Sequence, residues 1–104
     1  MSTEKIKNLL GDRVEILEMT IKNVDNQLQL LLKIQHEEDV LLMSFYNVSR
    51  FKMGEISTPL EIQGFEIVDH SIDGWAKDSI YEIRDFEDDS IKFFCESFKV
   101  ERTQ

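Results

Sequence analysis

The chain has 104 residues, with 12 Lys and Arg against 21 Asp and Glu, and a formal charge of −9. This length suits one domain, spanning 1–104, around one core, and the 34 Ile, Val, Leu and Phe residues exclude wholesale disorder. The acidic balance argues against nucleic acid and against an anionic membrane as partners, because both demand clustered Lys and Arg.

Residues 3–10 read as a short helix. Ser2 or Thr3 can cap it, Ile6, Leu9 and Leu10 fall on one face, and Gly11 stands at the C-cap position. Strand patterns follow. Val14 and Ile16 alternate with Arg13 and Glu15, and from Leu17 the phase changes to Leu17, Met19 and Ile21. One extra residue shifts a strand in this way, so a bulge is predicted near Ile16-Leu17. Asp25-Asn26 is a turn pair. Residues 27–35 alternate cleanly, with Leu28, Leu30, Leu32 and Ile34 on one face. A polar loop is expected at 36–39.

Residues 40–48 are apolar on both parities, as in a strand covered on both faces. Residues 50–58 are irregular, and Pro59 opens a new extended segment. Leu60 and Ile62 share one phase, Phe65 and Ile67 the other, and Gly64 between them suggests a second bulge. A polar loop at 69–78, a strand at 79–86, a turn at 87–90 and a last strand at 91–100 complete the chain. The last strand changes phase near Glu96-Ser97, where a third irregularity is expected. The fold class predicted is α+β, strand-dominated: a short N-terminal helix, then about six mostly antiparallel strands forming a curved sheet, sandwich or open barrel. Leu28, Leu30, Leu32, Ile34, Leu42, Phe65, Ile67, Ile83 and Phe93 are the expected core.

The residues that carry chemistry are sparse. His36 and His70 lie far apart and neither has a second ligand at metal-binding spacing, so no metal and no cofactor are expected; Asp69-His70 with Asp73 is the weaker alternative. The acidic stretch Asp85 to Asp89 lacks the ligand spacing of a calcium loop. Cys95, the one cysteine, follows Phe93-Phe94 and reads as a core thiol; it excludes an intramolecular disulfide and fits a reducing cytoplasm. Met1 to Ile6 lack a charged region followed by an apolar one, so no secretory signal is expected, and the apolar runs are too short to span a bilayer. No phosphate-binding or nucleophile-elbow motif is present, so no catalytic residue is assigned and the protein is not expected to be an enzyme. Trp75, in a Gly-containing polar loop, either covers one end of the core or serves as an exposed binding anchor.

Charge is unevenly placed. Residues 1–52 carry a net −1 and residues 53–104 a net −8. The candidate binding surface is therefore the acidic second half, with Asp69, Asp73, Trp75, Glu82, Asp85, Glu87, Asp88 and Asp89. The run Pro59-Leu60-Glu61-Ile62-Gln63-Gly64-Phe65-Glu66-Ile67, with Gly74-Trp75, Tyr81-Glu82-Ile83-Arg84-Asp85-Phe86-Glu87-Asp88 and residues 91–98, resembles small uncharacterised bacterial proteins, some associated with polymorphic-toxin and immunity genes. That resemblance implies a small, acidic, cytoplasmic protein that blocks a toxin by direct binding. The function expected is an immunity-like or inhibitory protein engaging a basic protein partner. The alternatives are a small-molecule-binding or enzymatic domain with a pocket near residues 69–78, and a homo-oligomeric structural module.

Overall fold

The structure is a computed structural model, and it describes residues 13–54, 61–62, 65–70, 80–85 and 91–103. Among these residues the chain runs β1 (Val14–Val24), β2 (Gln27–His36), β3 (Asp39–Tyr46), β4 (Ser49–Met53), β5 (Glu61–Ile62), β6 (Phe65–Asp69), β7 (Tyr81–Asp85), β8 (Ile91–Cys95) and β9 (Ser97–Thr103). They form two antiparallel sheets, in the orders β5-β1-β2-β3-β9 and β4-β8-β7-β6.

The α+β expectation is thereby corrected: the described fold is all-β, with no helix among the described residues. That class rested on one short helical signal at residues 3–10, which lie outside the described residues. The strand count rises above six because the segment after Pro59 and the last strand each divide at a change of sheet, and β4 forms where the pattern is irregular.

The hairpins explain themselves locally. Asp25 and Asn26 take φ values of 52° and 63°. Two successive left-handed residues make the turn whose twist matches that of paired strands, and Asp and Asn bear that conformation better than most. The β1–β2 register carries one extra residue between Ile16 and Glu18, so Leu17 is the bulged residue, as the phase change predicts. Beyond the bulge, Met19 and Ile21 stand opposite Leu32 and Leu30 and share their face. The loop expected at 36–39 shrinks to Glu37-Glu38, because His36 and Asp39 already pair.

The two sheets are tied by a bent ribbon. β3 pairs with β9, and β4 pairs with β8. The chain leaves the first sheet at Asn47-Val48 and returns to it at Glu96. Both partners therefore turn from one sheet to the other side by side, as strands do at the corners of packed sheets. Asn47 adopts φ 54° at this corner. Its side-chain amide donates to Glu96 Oε1 at 3.1 Å, Glu96 N–H donates to the Tyr46 carbonyl at 3.0 Å, and Val48 N–H donates to the Leu28 carbonyl at 2.8 Å. The irregularity predicted near Glu96-Ser97 is this corner. The opposed phases of Ile62 and Ile67 have the same origin. They lie on β5 and β6, in different sheets, so a change of sheet explains the phase change first read as a bulge at Gly64.

The core fills the space between the sheets. Leu30, Leu32, Ile34, Ile67, Ile83 and Phe93 are buried as expected, and Leu28 packs against them from a half-buried position. Phe65 falls outside the described side chains. Leu42 is the one core assignment overturned. On β3 the buried parity is Leu41, Met43 and Phe45, while Leu42 faces outward between Lys33 and Glu101. A segment apolar on both parities gives no sign of which face is inward. Aromatic rings bridge the gap between sheets: Phe45 meets Phe93 edge-on at 4.8 Å and Phe98 meets Tyr81 edge-on at 5.0 Å. Such pairs contribute roughly 0.5–1.5 kcal/mol beyond their burial.

Adjacent leucines test this register. Leu41→Ala is expected to cost ~2–5 kcal/mol through lost transfer energy and a cavity, and Leu42→Ala less than half as much, in urea unfolding. In the first turn, Asn26→Gly is expected to raise stability by a few tenths of a kcal/mol, since Gly meets the left-handed conformation without a side-chain clash.

Candidate functional site

Two charged regions stand out on the described surface. Strand pairing builds each of them from residues distant in sequence.

The first lies on the outer face of the second sheet. Cross-strand partners share a face, and Lys52 pairs with Lys92, Lys92 with Arg84, and Arg84 with Glu66. One row across four strands thus carries three cations and ends in a carboxylate. In the neighbouring row Phe94 stands opposite Glu82, and Glu82 opposite Val68. Glu82 is only 8 % exposed. Its Oε1 accepts from His70 Nε2 at 3.0 Å, while Lys92 Nζ and Arg84 Nη1 lie 3.6 and 3.7 Å from its Oε2. Arg84 Nη2 also reaches Glu66 Oε1 at 3.2 Å. His70 sits just past β6, where its N–H donates to the Ile80 carbonyl and continues the ladder.

Burial pushes the Glu82 carboxyl up, but the hydrogen bond from His70 and the charges of Lys92 and Arg84 outweigh it and hold the carboxyl below its ordinary value. An ionised carboxylate can only accept, so the His70 Nε2 carries the shared hydrogen. The network is a buried anion that holds two cationic side chains, Lys92 and Arg84, and the His70 ring around it.

Arg50 adds to this face from the edge strand. The β4–β8 register slips by one residue between Ser49 and Lys52, and Arg50 takes φ 52° within the slip. A left-handed arginine costs roughly 1–2 kcal/mol. The guanidinium is placed over the Phe94 ring, 5.2 Å from its centre, within cation–π range. Arg50, Phe51, Lys52, Lys92 and Phe94 line a groove of about 450 Å³.

The second region is an acidic end of the first sheet. Glu15 on β1 stands directly opposite Glu61 on β5. With Arg13, Val14, Gln35 and Glu37 they border a groove of about 210 Å³. Arg13 reaches Glu61 at 3.4 Å, and Asp39 in the same hairpin pairs with Arg102 at 3.6 Å.

Of the candidates drawn from the sequence, Glu82 is buried in the cationic network, Asp85 is 1 % exposed at the end of β7, and Asp69 is exposed at the end of β6. Asp73, Trp75, Glu87, Asp88 and Asp89 lie outside the described residues. Glu82 therefore directs its charge to its own neighbours. The cationic row and the Glu15–Glu61 pair were missed in the sequence, where nothing links residues 40 or more positions apart; only strand register does. Among the described residues no three of His, Cys, Asp and Glu gather as a metal site would require. Burial raises the Cys95 thiol to about 12, so it stays protonated and inert near neutral pH. No helix of the described residues is long and apolar enough to cross a membrane.

The Glu82 network carries a pH prediction. In the unfolded chain its carboxyl titrates at the ordinary value, and in the fold below it. Between those two values the unfolded state binds more protons, so the stability contributed by Glu82 is complete above the ordinary value and is lost as pH falls through the folded one. Glu82→Gln should lower the melting temperature at neutral pH, because it leaves Lys92 and Arg84 beside a neutral group. It should also make the acid limb of melting temperature against pH shallower than in the wild type.

No protein-family model matches the chain, and no curated protein and no solved structure matches it.

Proposed function

We propose that the protein acts by binding, as a small acidic immunity-like or inhibitory protein whose acidic surface engages a basic protein partner. One observation carries this reading: Glu15 and Glu61 are held directly across from each other, with Glu37 on the same groove. Like charges in directly opposed positions destabilise a sheet. Arg13 offsets that repulsion in part. A basic side chain of a partner entering the groove would relieve the rest, and the chain's net charge of −9 would speed its approach. Such a partner would meet Glu15 and Glu61 on paired strands, which hold these two carboxylates in place before contact.

Reversal of the acidic end tests the reading. Glu15→Lys with Glu37→Lys, both on the surface, should leave the fold intact by circular dichroism. The wild type, immobilised at low ionic strength, should capture a basic protein from the lysate of its native host. Capture should fade as salt rises, since screening shortens the reach of the field to ~8 Å near physiological ionic strength. The double variant should lose it, mainly through slower association. Capture that ignores both salt and the reversals would contradict the proposal.

A further inference from the structure

The outer face of the second sheet opposes the composition of the chain. Among the described residues it gathers Arg50, Lys52, Arg84 and Lys92 against Glu66 and Glu82, in a protein of net charge −9. Three of the cations are consecutive cross-strand neighbours, in the order Lys52, Lys92, Arg84. Directly opposed like charges cost folding free energy. Arg50 adds a second cost through its left-handed backbone. Protection of an open sheet edge accounts for part of this, since a bulge and a lysine on edge strand β4 block pairing with another chain. Lys92 and Arg84, on interior strands β8 and β7, offset Glu82 and Glu66, which still leaves four cations against two carboxylates among the described residues of this face.

We propose that this face is a binding site for a small polyphosphate-type anion, seated in the groove between Arg50, Lys52 and Lys92 and extending toward Arg84. Neighbouring strands lie ~4.8 Å apart, so the row from Lys52 to Arg84 spans ~10 Å of backbone. A single oxyanion is shorter than this row, whereas a chain of two or three phosphates can spread its charge along all three cations. The groove, about 450 Å³, is of the size that holds a nucleotide or a short phosphate chain. Arg84 and Lys92 keep 37 % and 41 % of their side-chain surface exposed, so both reach solvent while Glu82 anchors them from beneath. The arginine forks match phosphate oxygens in pairs, and the lysines add mobile point charges. The phosphate chain is the recognised group, whether it is inorganic or carried by a nucleotide.

Isothermal titration at low ionic strength, with tripolyphosphate and ATP as separate probes, tests the site. Binding of both with similar affinity assigns recognition to the phosphate chain alone, and tighter binding of ATP adds contacts to its nucleoside. Lys52→Ala removes one charge-assisted contact and should weaken either probe by about tenfold. The variant also relieves the repulsion with Lys92, so it should melt no lower than the wild type. Lys99→Ala, on the first sheet, should leave affinity unchanged. Failure of both probes to bind at millimolar concentration would overturn the proposal. So would binding that Lys52→Ala leaves intact or that Lys99→Ala weakens equally.

Discussion

The corner at Asn47 and Glu96 is the constraint on which the remainder of the structure depends. Two strands there leave one sheet for the other as a pair, and backbone hydrogen bonds continue through the bend. Glu96 N–H still finds Tyr46, and Val48 N–H finds Leu28. Because the partners turn together, they stay paired on both sides of the bend. Phe45 and Phe98 before the bend are brought over Phe93 and Tyr81 beyond it. The core follows from this geometry, since the bend brings the apolar inner faces of both sheets together. Asn47 contributes twice, by accepting a positive φ and by donating its amide to Glu96.

The same register sets the surface chemistry. A pairing of β4 with β8 slipped by one residue would move Lys52 away from Lys92, and a slip between β7 and β8 would take Glu82 off the face it shares with the cations. The buried carboxylate and the cations around it are thus a consequence of pairing. Breaking such a group by removing one member leaves the others uncompensated, which is why one buried acid can matter more than several exposed ones. Glu15 and Glu61 are paired on one sheet, and Lys52, Lys92 and Arg84 are paired in a row on the other. Each group contains like charges held side by side.

What the sequence made legible was local. The alternation from Leu28 to Ile34, the turn at Asp25-Asn26 and the bulge at Leu17 all depend on residues within a few positions of one another, and each is found in the structure. Phase changes were legible too, but their cause was not. A bulge and a change of sheet leave the same mark in a hydrophobic pattern, so Gly64 and Glu96 read alike although the chain changes sheet near both. On β3, apolar residues on both parities concealed that Leu41 rather than Leu42 faces inward. The charged site was the least legible part. A count of acids in the second half does not show that Glu82 is paired with Lys92 and Arg84 and hydrogen-bonded by His70, nor that Glu61 crosses to meet Glu15.

Native-state hydrogen exchange at the corner tests this account most directly. If the bent ribbon holds the two sheets together, the amides of Val48 and Glu96 open only with the whole fold. They should then be as protected as the amides in the middle of β2 and β8, and respond to denaturant with the same steep slope. Exchange of these two amides at the rate of exposed loops, while the strands on either side stay protected, would show that the sheets are held by side-chain packing alone and would contradict the account.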